Sequence, residues 1–196
     1  MQAIRRTTLA DVIGSATWTK DLILIGIASL ATGLLAQAEI RLPFTPVPVT
    51  LQPLAVFLVG AALGSRRGAL AMLAYLAEGV AGLPFFAGGA AGPQHLMGPT
   101  GGYLAGFVAA AAVIGWFAER GWDRTPVRAF AAMLLGSVAL FGCGLAQLSF
   151  FIGPKLAVQQ GLLPFIAGDL LKMALAAALL PGVWKILERT GLAPRV

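Results

Sequence analysis

The chain is short of charge. Asp, Glu, Lys and Arg make up only 11% of its 196 residues, where a soluble domain carries about 25%. With 58% hydrophobic residues and a mean hydropathy of +0.85, a soluble body of this size could not hide its apolar surface from water. An ordinary water-soluble globular domain is thereby excluded. The single cysteine, Cys143, lies in an apolar run; it forms no intrachain disulfide and says nothing of redox compartment. The single histidine, His95, has no second His or acidic cluster at ligand spacing, so no metal site is expected. No Gly-rich run ends in Gly-Lys-Ser/Thr, and neither a nucleophile elbow nor a paired-His zinc motif occurs. ATP hydrolysis by a P-loop is excluded, and energy-coupled work must draw on partners or an ion gradient. The first 20 residues are polar and lack an apolar core with a cleavage site, so no cleaved signal peptide is expected. The net charge of +6 is spread in short basic clusters between apolar runs, the pattern of topology signals rather than of a nucleic-acid surface.

What the chain does have is apolar helix. The sequence reads as six segments, at about 20–38, 50–63, 68–83, 102–118, 126–150 and 163–187. Thr19 is a candidate cap for the first, with Asp21 suited to its first turn. Pro53 is tolerated in the first turn of the second, and Thr125-Pro126 is a good start for the fifth. Pro181-Gly182 is expected to bend or break the sixth near its end. The second and third segments fall short of the ~20 apolar residues that cross ~30 Å of hydrocarbon. Neighbouring irregular chain must supply the missing depth, and such chain survives in lipid only when packed on protein or lining a cavity. Two loops qualify: RLPFTPVPVT (41–50) and PFFAGGAAGPQHLMGPTG (84–101). They are either surface connections or the inward-folded walls of a pocket.

Six spans put both termini on one side. That side receives Arg5, Arg6, Lys20, Arg66, Arg67, Arg120, Arg124, Arg128, Lys185, Arg189 and Arg195; the other receives only Arg41 and Lys155, and Lys172 lies within a span. Positive charge marks the cytoplasmic face, so the termini are expected there and the two special loops outside. The fold class expected is an all-α integral membrane protein of six transmembrane helices with irregular external loops forming a ligand pocket. It is read as one domain over 1–196, with a polar cytoplasmic N-terminus at 1–19 and the helical fold at 20–188.

Within the last apolar segment stand Asp169 and Lys172. A charge at membrane depth costs roughly 3 kcal/mol on insertion scales, and an i, i+3 spacing puts both on one helix face. They are a mutually neutralised structural pair, a proton relay, or part of a substrate site. A carboxylate accepts from neutral N–H donors and an ammonium partners a carbonyl or carboxylate. Together they suit a small polar ligand with N–H donors and an anionic group. Gln52 either points into the same cavity or caps its helix. Tyr103 either contacts a ligand or anchors at the membrane interface. Glu78 and Gln147 read as interhelical contacts. Ala28, Thr32 and Ala36 repeat at i+4 with Ser29 and Gly33 beside them. Small residues so spaced admit a close helix, either within the chain or from another membrane protein.

At these residues the chain resembles a known family. TPVPVTLQ (45–52), LGSRRGAL (63–70), GLPFFAGG (82–89), LMGPTGGYLAGF (96–107) and GDLLK (168–172), in this order, are similar to the BioY family of biotin-binding S components of energy-coupling factor transporters. The resemblance implies the six-helix S-component fold with the vitamin under the first external loop, near the outer face of the bacterial cytoplasmic (inner) membrane. It implies that Asp169 and Lys172 contact the ligand. It also implies that Ala28, Thr32 and Ala36 dock a transmembrane coupling subunit, which two cytoplasmic ATPases drive. Biotin is then transported cargo; no cofactor and no covalent chemistry are implied. Some members carry Asn where this chain has Ala90, and a basic residue where it has Leu104. Candidates for the ligand carboxylate are then Gln94, backbone N–H groups of the glycine loop around Gly89, or Lys172 if it is not committed to Asp169. An S-component-like carrier for another vitamin, a membrane-embedded enzyme using Asp169 and Lys172 as acid and base, and a purely structural membrane partner are the other readings. A homo-oligomer is left open.

Overall fold

The computed structural model describes residues 8–12 and 17–192; Arg5, Arg6 and Arg195, counted above among the basic residues, lie outside them. The described chain is almost wholly helical: α1 (Leu9–Val12), α2 (Trp18–Ala36), α3 (Gln52–Leu63), α4 (Ser65–Val80), α5 (Gln94–Met97), α6 (Gly101–Ala118), α7 (Pro126–Ile152), α8 (Pro154–Gly161) and α9 (Leu163–Arg189). Four of these, α2, α6, α7 and α9, are long and apolar enough to cross a membrane. At 1.5 Å per residue α3 rises only about 18 Å and α4 about 24 Å.

The cap of α2 is Thr17, whose hydroxyl accepts from the Lys20 N–H at 3.4 Å; Thr19, the candidate above, lies inside the helix. α9 is continuous through Pro181 instead of ending there. Pro181 has no N–H to give the carbonyl four residues back, and side-chain packing on both sides of it keeps the turn helical: Leu180 and Trp184 are buried. α8 was not expected; PKLAVQQG is too short and too polar to stand out as an apolar run. The short helix α1 packs on the bundle. Ala10 of α1 is in the core, and Arg67 at the start of α4 pairs with Asp11 at 2.8 Å and with Asp21 at 2.9 Å.

Small residues set the helix spacing. A Cβ on Gly106 of α6 would stand 2.7 Å from the Leu140 carbonyl oxygen of α7, so these two helices touch backbone to backbone as small residues allow. Gly64, at φ +85°, joins α3 to α4 in a single residue, a conformation that L side chains rarely take. Phe57, Met72, Ile114, Met133 and Trp184 fill the spaces that remain.

The small-residue stripe on α2 faces the chain's own helices. Thr32 and Ala36 have no exposed surface and Ala28 almost none. The Thr32 hydroxyl turns back to the Ala28 carbonyl at 2.8 Å, Phe85 lies against Gly33, and Ser29 donates to Glu78 of α4. Small residues here let α2 approach its own neighbours closely. The face that α2 leaves open carries Ile23, Ile27, Leu30 and Leu34 instead.

Both special loops are structured. Pro43, Pro46 and Pro48 have no N–H, and three prolines in six residues disfavour a helix. The loop closes as a short hairpin, β1 (Glu39–Ile40) antiparallel to β2 (Val49–Thr50), with Glu39 opposite Thr50. The Thr45 hydroxyl donates to the Gln160 carbonyl of α8 at 2.7 Å and ties the loop down. The glycine loop makes a tight turn over Ala87–Gly89, bridged by Phe86 and Ala90. Gln147 of α7 holds the chain ahead of α6, donating to the Leu96 and Gly98 carbonyls at 2.8 Å each.

Candidate ligand pocket

Helices α3, α6, α7 and α9 and the two loops converge on one cavity of about 450 Å³, inside the usual range of ~300–1,000 Å³ for small-molecule sites. The proline loop and hairpin form its roof, the Phe86–Ala90 turn one side, and the first turns of α3 and α6 another. Residues of α7 and α9 complete it.

From α9 come Phe165, Asp169 and Lys172, at i, i+4 and i+7 on one helical face. Asp169 is 3% exposed and Lys172 7%. The ammonium donates to Asp169 Oδ1 at 2.7 Å, and Asp169 Oδ2 has no protein partner among the described residues. The two charges are thus both paired with each other and set in a cavity wall. A buried pair of this kind is weak evidence for stability, because desolvation consumes most of the attraction. Both residues also line the cavity beside them.

From α6 come Thr100, Tyr103 and Phe107, with Tyr103 and Phe107 one turn apart. The Tyr103 hydroxyl donates to the Gly161 carbonyl at 2.9 Å, so it offers the cavity its ring more than its hydroxyl. Gln52 opens α3 with its carbonyl accepting from the Thr50 hydroxyl at 2.9 Å and its amide donating to the Tyr75 hydroxyl at 2.6 Å. Phe86, Phe107, Phe141 and Phe165 supply apolar wall.

Of the residues expected at a ligand, Asp169, Lys172, Tyr103 and Gln52 meet in this wall. Gln94 and Gly89 do not. The Gln94 amide folds back onto the Ala91 carbonyl at 2.7 Å on the exposed side of α5. The Gly89 N–H is spent within its own turn on the Phe86 carbonyl at 3.1 Å, and the Gly92 N–H goes to Gly79 at 2.8 Å. The wall also holds Arg41, Thr45 and Thr50 of loop 41–50 and His95 of loop 84–101, none of them singled out as a ligand contact, and Glu39, which lies outside both loops. The alternation of Pro with Thr and Val in 45–50 was the one signal that the loop turns polar groups inward at intervals. No group of His, Cys, Asp and Glu among the described residues is arranged to hold a metal.

Comparison with known proteins agrees with this architecture. The BioY family profile matches residues 5–189. The biotin transporter BioY of Thermotoga maritima is 41% identical over 145 residues, covering 71% of this chain and 82% of that protein. The biotin transporter BioY of Rhizobium etli is 37% identical over 170 residues, covering 82% and 91%. Among solved structures, the crystal structure of the S-component for biotin from an ECF-type ABC transporter superposes with a TM-score of 0.79 at 26% identity, covering 87% of this chain and 95% of that one.

Proposed function

Since the chain belongs to the BioY family, we propose that it is the biotin-capturing subunit of an energy-coupling factor transporter, a multi-pass protein of the cytoplasmic membrane that binds its cargo and performs no chemistry on it. One observation carries the reading: an ion pair buried in α9 lines a cavity of about 450 Å³, and its Asp169 Oδ2 has no protein partner among the described residues. Biotin has a ureido ring with two N–H donors and one carbonyl. In the proposed complex Asp169 accepts from a ureido N–H through Oδ2, and Lys172 donates to the ureido carbonyl while keeping Asp169. The ring lies against the Tyr103 and Phe107 faces, Gln52 holds the wall beside it, and the hydrocarbon tail runs along the phenylalanines.

The finer topology is part of the same proposal. α2, α3, α4, α6, α7 and α9 cross or enter the bilayer with both termini cytoplasmic, which is supported by the basic residues at the α3–α4, α6–α7 and α9 ends. The cavity then opens outward, where a scavenged vitamin arrives. The chain carries no P-loop, so energy comes from a transmembrane coupling subunit and two cytoplasmic ATPases.

The test is titration of the detergent-purified protein with labelled biotin, followed by competition with biotin, riboflavin and thiamine. Displacement by biotin alone is expected. Displacement by another vitamin alone replaces the cargo, and failure to bind any of them removes the capture role.

A further inference from the structure

Asp169 and Lys172 take one end of a molecule such as biotin, and its carboxylate still needs a partner. Most of the groups offered by the sequence are already engaged. Lys172 is 2.7 Å from Asp169, Gln94 is turned to Ala91, and the Gly89 and Gly92 N–H groups are bonded within the protein. One cation in the cavity wall is left. Resting on the biotin reading above, we infer that Arg41 receives the carboxylate of the bound molecule and that Glu39 positions it to do so.

The geometry is that of a prepared receptor at the mouth. Arg41 lines the cavity with its side chain 73% exposed, whereas Asp169 and Lys172 are sealed below. The Arg41 Nε donates to Glu39 Oε1 at 2.8 Å, while Nη1 and Nη2 have no partner among the described residues. Glu39 itself is fixed, because its backbone pairs with Thr50 in the hairpin and only 16% of its side chain is exposed. Both side chains lie across Gly88, at φ +65°, where a Cβ would run into them; the glycine leaves room for the pair.

The physical consequence is a directional contact. A guanidinium held through Nε still presents Nη1 and Nη2 end-on, as a two-pronged carboxylate partner. Glu39 cancels much of the long-range field, so the pair gives little to an anion at a distance. In the empty protein the guanidinium stays hydrated and paired, and no bare charge waits in the site. A molecule with the same ring but an uncharged tail end loses this contact and nothing else.

The experiment compares equilibrium binding of biotin and biotinamide to the purified full chain and to Arg41→Gln and Arg41→Lys. The unsubstituted protein is expected to prefer the acid at least tenfold. Arg41→Gln is expected to shrink that ratio to within about twofold, and Arg41→Lys to keep part of it. An undiminished acid preference in Arg41→Gln overturns the inference, as does the absence of any preference in the unsubstituted protein. Equal loss of both ligands in Arg41→Gln and Arg41→Lys also overturns it, since it marks Arg41 as structural. If the unsubstituted protein binds neither molecule, the biotin reading itself falls.

Discussion

The Gln52 amide donates to the Tyr75 hydroxyl at 2.6 Å, and Tyr75 donates in turn to the Phe85 carbonyl at 3.1 Å. A side chain in the cavity wall is thereby tied through α4 to the glycine loop on the cavity's other side. Tyr75 is fully buried and meets Phe86 edge to face, ring centroids 5.7 Å apart.

Removing that hydroxyl in Tyr75→Phe leaves the Gln52 amide and the Phe85 carbonyl short of partners. Stranding buried polar groups costs about 1–3 kcal/mol. The expected outcome is a lower midpoint of thermal unfolding and weaker biotin binding, read by a melting curve and a titration on the same sample. Unchanged values in both would mean that water replaces the hydroxyl.

Asp169→Asn is expected to weaken biotin binding at least tenfold, about 1.4 kcal/mol. The lost interaction is a charge-assisted acceptor in a low-dielectric site, and the Lys172 ammonium loses its partner as well. The double variant Asp169→Asn, Lys172→Met removes the stranded charge. It should recover thermal stability without recovering affinity, and recovered affinity would rule out the ligand role of the pair.

Thr32→Trp tests the α2 stripe. The site is filled by the chain's own neighbours, so an indole there forces overpacking at about 1–3 kcal/mol or more. Folded yield and biotin binding should both fall. Ile27→Trp, on the exposed face of α2, should bind biotin normally. Normal binding by Thr32→Trp would return the stripe to the role of a docking face.

Asp123 lies between α6 and α7 and bears on pH. Burial pushes its carboxyl up to about 6, against the opposing effects of the Trp184 N–H at 2.5 Å and of Arg124. A carboxyl raised above its unfolded value binds more protons in the folded state. Stability is therefore lost as pH climbs from about 4 to about 6. Asp123→Asn keeps an acceptor for Trp184 and does not ionise. Its stability relative to the unsubstituted protein should rise by on the order of 2 kcal/mol over that window, measured as the difference in melting temperature at pH 4 and pH 7. A flat difference would refute this.

The long helices were legible because apolar runs and Pro-bearing starts mark them. Their ends moved by a turn or less, as with Thr17 taking the cap expected of Thr19. Asp169 and Lys172 announced themselves by cost, since a charge within an apolar span is expensive to keep. Gln52 and Tyr103 followed from their places beside the irregular loops. Arg41 and Glu39 could not be read from spacing, because their meeting depends on a two-residue hairpin that leaves almost no pattern. For Ala28, Thr32 and Ala36 the sequence left two alternatives open, for another reason. A small-residue stripe specifies closeness and is silent on which chain comes close.

The brevity of α3 has a consequence for the roof of the cavity. On the proposed orientation a helix rising about 18 Å leaves part of the hydrocarbon depth to the proline hairpin. The hairpin's carbonyls outnumber its N–H groups, because Pro43, Pro46 and Pro48 donate nothing. Swung sideways among acyl tails, those carbonyls would go dry, at several kcal/mol apiece; swung up into water, they are solvated at once. Any outward movement of this roof on the proposed orientation is therefore toward water, and it would break the Thr45 hydrogen bond to Gln160.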